Sequence, residues 1–291
     1  MWAIDDTTAR NKEWFKSMMQ RHGLAPLKRL GQHFLADATI LNAIVSAAEL
    51  STSDHVIEIG AGFGTLTHKL AEHSANVLAI ECDKGLFKVL QQRFEPDAPL
   101  QVIHSDGLKY LHSVKAASTP QQVKLVGNIP YHITSPLLLT LYDLGPRCPL
   151  AVFLVQHEVA GRLSAEAGTR ATGALSVLLQ LEHEIEILGY VPRDRFWPQP
   201  DVDSQIIRIR LRGDLLIPDK DRSFMRTLVQ ALFLKRRKTL KNSLKAAATL
   251  LGLVADPENI LNRAGIDFNR RGESLTLKEI WILADVLRSY Q

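Results

Sequence analysis

Seven short β-branched runs, separated by amphipathic stretches, constrain this chain more than any other feature. They are His55–Ile59, Asn76–Glu81, Leu100–His104, Val123–Gly127, Leu150–Val155, Glu184–Leu188 and Gln205–Leu211. Most show little alternation of polar and apolar residues, as strands covered on both faces do. Helical patterns fall between them, at Thr65–His73, Lys84–Phe94, Ser135–Leu144 and Ala174–Leu181. Alternating strand and helix predicts an α/β fold around a mostly parallel seven-stranded sheet. After Arg212 the pattern turns wholly helical, over Asp221–Leu234, Leu240–Leu251, Pro257–Asn262 and Leu277–Leu287. Asp256 before Pro257 reads as an N-cap, and Thr276 with Glu279 as a capping box. The expected organisation is a helical extension over residues 1–26, a sheet domain over 27–213 and a small all-helical domain over 214–291. Within the extension, Trp2, Trp14, Phe15, Met18 and Met19 form an apolar stripe, more suited to packing than to chemistry.

A chain of 291 residues with 46% hydrophobic content buries a core without metal or disulfide staples. The two cysteines, Cys82 and Cys148, form no C-x-x-C pair and fit a reducing, cytoplasmic compartment. Met1–Gln20 carries Asp5, Asp6 and Glu13 and reads as no signal peptide, and no run reaches the roughly 20 apolar residues of a bilayer span. None of the ten histidines has a metal-ligand spacing, so no metal is expected; His68 and His73 read as surface residues. The net charge is only +4, but twelve of the Lys and Arg residues lie between Gln205 and Ala248, against three acids. Such concentration suggests a polyanion partner, although a lone basic run is commonly just a solvated helix face.

Val56-Ile-Glu-Ile-Gly-Ala-Gly-Phe-Gly-Thr65 runs from a strand through Gly60, Gly62 and Gly64 into a helix, a turn that brings backbone close to a ligand. Alone it is a weak signal. Glu81 ends the next strand, 21 positions after Gly60, where a carboxylate accepts from both ribose hydroxyls. Asp106 follows the third strand, placed to accept from an adenine amine. Three consecutive strand ends thus suit an adenosine ligand, which a nicotinamide dehydrogenase would share.

The fourth strand separates the two readings. It ends in Asn128-Ile-Pro-Tyr131. The lone pair of an adenine amine is delocalised into its ring, and hydrogen-bond acceptors placed on that amine release it. Asn128 offers a side-chain carbonyl and Ile129 a backbone carbonyl, which Pro130 holds extended. Tyr131 offers a ring for base stacking, worth roughly 1–3 kcal/mol per base. Phe196, in Phe196-Trp-Pro-Gln-Pro200, is a second aromatic that could face a flipped base.

With these residues in place, the chain resembles the KsgA-type ribosomal RNA adenine dimethyltransferases from about Leu27 onward, with the Erm resistance methyltransferases as cousins. Leu30-Gly-Gln-His-Phe-Leu35 is similar to the family's N-terminal cofactor motif and Asn128–Tyr131 to its catalytic motif. Phe196–Ser204 resembles its late aromatic loop, and Leu234–Leu244 the basic helix of a C-terminal domain that favours the KsgA type. The resemblance implies a Rossmann-like class I methyltransferase that uses S-adenosylmethionine, releases S-adenosylhomocysteine and needs no metal. It places Gln32, His33, Leu35, Gly60, Gly62, Glu81, Asp106 and Asn128 at the cofactor, with His33 and Leu35 at its methionine end. It also implies dimethylation of two adjacent adenines in the 3′-terminal hairpin loop of small-subunit rRNA, within a pre-assembled particle. Lys235, Arg236, Arg237, Lys238 and Lys241 are the expected RNA grip, and nothing demands more than a monomer. His33 stands where many members have Asn, His157 where Lys is common and Thr172 where Tyr is common. A non-catalytic assembly or transcription factor on the same fold, and a DNA adenine methyltransferase, are the alternatives.

Overall fold

A computed structural model describes residues 8–74, 76–94, 100–116, 121–169, 171–213, 216–234, 238–251 and 256–290. Nine strands occur among them: β1 Phe34–Leu35, β2 His55–Ile59, β3 Asn76–Glu81, β4 Leu100–His104, β5 Lys124–Asn128, β6 Leu150–Gln156, β7 His183–Val191, β8 Phe196–Trp197 and β9 Ser204–Leu211. The helices are α1 Thr8–Arg21, α2 Ala38–Ala47, α3 Thr65–Ala71, α4 Lys84–Arg93, α5 Gly107–Ala116, α6 Thr134–Leu144, α7 His157–Ser164, α8 Ala174–Gln180, α9 Asp219–Phe233, α10 Leu240–Leu251, α11 Pro257–Arg263 and α12 Leu277–Arg288.

The expected sheet is present: seven strands in the order β4-β3-β2-β5-β6-β9-β7. Strands β2 to β6 pair in parallel, and β9 returns antiparallel to β6. The central strands are mostly apolar because helices cover both their faces; Leu125, Val126 and all of Ala151–Val155 are fully buried. From β2 the chain winds outward through β3 and β4, then crosses back to β5 on the other side. This reversal is the switch point at which open α/β sheets bind ligands. Glu58 lies opposite Val126. Continued two residues, that register sets Gly60 beside Asn128.

A second sheet, absent from the sequence expectation, is an antiparallel ribbon pairing Phe34 with Trp197 and Leu35 with Phe196. Helix α1 packs its predicted apolar stripe, Phe15, Met18 and Met19, on Phe34, Phe63, Leu86 and Val89. Trp2 lies outside the described residues.

The chain divides into two compact units, Met1–Ala160 with Glu184–Leu211, and Gly161–His183 with Arg212–Gln291. The second unit therefore draws α8 and its flanking turns from a stretch expected in the sheet domain. The reason is a buried ion pair. Glu182, fully buried, takes a bidentate pair from Arg222 at 2.7 and 2.8 Å, and accepts at 2.6 Å from the backbone N–H of Ile217. Thr172, one of the departures noted above, is a buried pin whose hydroxyl donates to the Glu166 carbonyl at 2.6 Å. The Thr276–Glu279 capping box forms as expected. Asp256 occupies the N-cap of α11, but its side chain makes no capping bond; its charge acts on Lys241 instead. No helix among the described residues is long and apolar enough to cross a membrane.

A buried ion pair that loses one partner leaves an uncompensated charge, at a cost of about 3–5 kcal/mol. Arg222→Ala should destabilise the helical unit by that order in urea denaturation followed at Trp281. Replacing both partners together, Arg222→Met with Glu182→Leu, should recover most of the loss.

Candidate active site

The carboxyl ends of β2 to β5 open on two adjoining cavities that share Leu30, Gly60, Cys82 and Pro130. The larger, about 540 Å³, is lined by Asp106, Gly107 and Pro130; the smaller, about 80 Å³, by His33, Glu58, Glu81, Asn128 and Tyr131. Another cavity, about 490 Å³, lies under α5 at the amino ends of β2, β3 and β4, away from the switch point.

The loop after β2 is left-handed at Gly60, Gly62 and Gly64, with φ of 77°, 57° and 79°. Gly62 has a second constraint: a Cβ there would lie 3.2 Å from the Phe34 ring. The backbone thereby reaches Glu81, whose Oε2 accepts from Gly62 N at 2.8 Å while Oε1 accepts from Asp83 N at 2.7 Å. Burial pushes the Glu81 carboxyl above its usual range, against these two N–H donors. Asp83 in turn caps α4 through Gly85 and Leu86, and its Oδ2 accepts from Gln32 Nε2 at 3.0 Å. Gln32 thus links the N-terminal motif to the loop after β3. Asp106 lines the larger cavity, exposed, with Oδ1 capping α5 through Leu108 and Lys109.

The second half of the site is organised around His33. Asn128 Nδ2 donates to the His33 carbonyl at 2.7 Å. The His33 ring donates through Nδ1 to the Pro198 carbonyl at 2.7 Å and stacks on Tyr131, with centroids 5.9 Å apart. The Tyr131 hydroxyl is hydrogen-bonded to Ser204 Oγ at 2.9 Å. Burial raises the pKa of that phenol. Ile129 is buried, and its N–H donates to Leu154 O at 3.2 Å.

Two expected residues are engaged otherwise. The Phe196 ring is not at the pocket: pairing of β8 with β1 turns it into the core beside Leu35, Leu41 and Ile206, where it is 1% exposed. Lys241 is ion-paired with Glu258, which raises its pKa. Lys238 is exposed, and Lys235, Arg236 and Arg237 lie outside the described residues. Among the described residues no group of three or more His, Cys, Asp or Glu side chains could hold a metal ion.

One site residue escaped the sequence reading. Glu58 is fully enclosed in β2, lines the smaller cavity and accepts from the Thr67 hydroxyl at 2.5 Å. Burial first, then the nearby Glu81 charge, pushes its pKa up to about 8. A lone acid inside the apolar run Val56–Ile59 was the available signal.

A parallel sheet with a reversed strand near its edge, a glycine loop braced on a buried carboxylate, and an amide-aromatic pair at the switch point define a Rossmann-like methyltransferase. The family "Ribosomal RNA adenine dimethylase" matches residues 26–281, and the chain belongs to that family. It is 41% identical over 278 residues to the "Ribosomal RNA small subunit methyltransferase A" of Pelotomaculum thermopropionicum, covering 93% of this chain and 94% of the relative. It is 40% identical over 280 residues to the protein of the same name from Bacillus mycoides, covering 94% of each. Among solved structures it superposes on a dimethyladenosine transferase from Plasmodium falciparum with a TM-score of 0.71 and 26% identity, covering 86% of this chain and 95% of that one. The 23S rRNA methyltransferase ErmE gives a TM-score of 0.66 at 26% identity, over 88% and 99%.

Because the folded pKa of Glu58 lies above its unfolded value of 4.5, the folded state holds the extra proton between 4.5 and about 8. The stability this contributes is complete below pH 4.5 and is lost as pH rises through about 8. Glu58→Gln has no proton to lose. Melting curves from pH 5 to 8.5 should show the variant gaining on the wild type as pH rises; parallel curves would contradict the assignment.

Proposed function

We propose that this chain transfers methyl groups from S-adenosylmethionine to the N6 amines of two adjacent adenines in the 3′-terminal hairpin loop of small-subunit rRNA. It acts as a cytoplasmic monomer on a pre-assembled subunit. The observation that carries the reading is the orientation of Asn128. Its Nδ2 donates to a backbone carbonyl, which can only accept. Oδ1 is therefore the amide atom left to accept a hydrogen bond from a target amine.

The pocket fits an adenosine cofactor on its own geometry. The left-handed Gly60 leaves bare backbone where the two cavities meet, and Glu81 retains lone pairs beyond its two N–H partners for ribose hydroxyls. Asp106, with one oxygen engaged at the α5 cap, has the other for an adenine amine. When bound, the cofactor supplies an electrophilic methyl on a positive sulfonium, so no strong base is required. Asn128 Oδ1 and the Ile129 carbonyl accept hydrogen bonds from the target amine, which favours a pyramidal nitrogen and frees its lone pair. Tyr131, its hydroxyl held by Ser204 and one ring face against His33, offers the opposite face to the flipped base. The methylated amine then gives its proton to water.

RNA loops present splayed bases that such a pocket can take. The Lys235–Lys238 run supplies phosphate contacts, which set affinity and its salt dependence but not the target. The intact Asn128–Tyr131 segment and a braced Glu81 favour an enzyme over a non-catalytic assembly factor.

Removing one positioned polar group from a transition state costs about 10²–10³ in rate. Asn128→Ala should lose at least that in methyl transfer to small-subunit rRNA with its fold intact; undiminished turnover would remove the proposed role. Replacing Lys235, Arg236, Arg237 and Lys238 with Ala should weaken RNA binding and lower the slope of log K against log salt by about 3. An unchanged slope would place the RNA elsewhere.

A further inference from the structure

We infer that helix α1 is a working part of the cofactor site: Phe15 and Trp14 position the glycine loop, so cofactor affinity and α1 docking depend on each other. The inference rests on the cofactor reading above and goes beyond it, because α1 precedes residues 26–281, the part matched by the family.

Phe15 is fully buried at the centre of an aromatic cluster. Its ring centroid lies 5.4 Å from Phe34, 5.5 Å from Phe63 and 6.4 Å, stacked, from Trp197. Each partner belongs to a segment that carries site residues. Phe63 is in the glycine loop itself, between Gly62 and Gly64. Phe34 follows His33, whose carbonyl holds Asn128. Trp197 precedes Pro198, whose carbonyl holds the His33 ring. Phe34 also closes over Gly62, whose N–H braces Glu81. A continuous line of contact thus runs from Phe15 through Phe34 and Gly62 to the ribose-side carboxylate.

Trp14 adds a second grip. Its ring lies 5.8 Å from Phe63, and the Arg93 guanidinium sits 4.6 Å above it while donating to the Phe63 carbonyl at 3.2 Å. Asn11, fully buried, donates through Nδ2 to the Ala36 carbonyl at 2.9 Å, which ties α1 to the chain just past β1. A helix that served only to cover apolar surface would need neither the buried Asn11–Ala36 bond nor a guanidinium that its Trp14 shares with the glycine loop. Coupling of this kind is reciprocal: whatever docked α1 adds to cofactor binding, bound cofactor adds to α1 docking.

The test uses the full chain and S-adenosylhomocysteine as the probe. Saturating S-adenosylhomocysteine should slow amide hydrogen exchange across Thr8–Arg21 several-fold. It should also shift the emission of Trp14, isolated as the difference between wild type and Trp14→Phe. By calorimetry, Phe15→Ala should bind S-adenosylhomocysteine about tenfold more weakly, with rRNA affinity changed less than twofold, and Phe15→Leu should restore most of the loss. A folded Phe15→Ala protein that binds the probe like wild type would overturn the inference. Should that variant not fold, exchange in the wild type decides: α1 unmoved by bound probe overturns it as well. Wild type that binds no probe at all would overturn the cofactor reading and this inference together.

Discussion

The parallel pairing of β2 with β5 is the constraint on which the rest of this structure depends. Because β3 and β4 are laid down on one side of β2 and β5 on the other, two residues 68 apart in the chain, Gly60 and Asn128, end up side by side at the carboxyl edge. The first leaves space for a ligand by having no side chain; the second supplies an amide whose orientation a backbone carbonyl dictates. Neither residue defines a site alone. Their adjacency does, and apolar strands buried on both faces enforce it.

Around that pair the protein braces polar groups with backbone rather than leaving them to solvent. Glu81 is held by two N–H donors, Asp83 caps a helix, and Asn128 and the His33 ring each donate to a carbonyl. Burial makes carboxyls costly to ionise, which is why Glu58 and Glu81 both shift upward despite the hydrogen bonds they accept. The site's polar groups are held by hydrogen bonds, and its aromatic backing reaches out as far as α1.

Much of this was legible in the sequence because the responsible forces are local. The central strands, buried on both faces, need β-branched residues, and all seven strands of the main sheet were readable to within a few residues. Glu81, Asp106 and Asn128 were legible because a polar residue ending an apolar run has few structural reasons to be there. What stayed hidden depends on pairings distant in sequence. The β1–β8 ribbon has two residues per strand, too few for any periodicity, and it is what turns Phe196 inward. Glu182 finds Arg222 40 positions later, so the composition of the helical unit could not be read from where its helices begin. Glu58 was visible as a letter, but the enclosure that shifts its proton is a property of the folded neighbourhood. The role of α1 was hidden similarly, since an apolar stripe shows that a helix packs and not what it packs against.

In the proposed function, the ends of β2 to β5 bring a transferable methyl against the exocyclic nitrogen of an adenine. Incubating the protein with small-subunit particles lacking adenine dimethylation and isotopically labelled S-adenosylmethionine, then resolving the rRNA nucleosides by mass spectrometry, tests it most directly. The account predicts label in N6,N6-dimethyladenosine from the 3′-terminal hairpin. Label confined to ribose, to a ring carbon or to another base would contradict it.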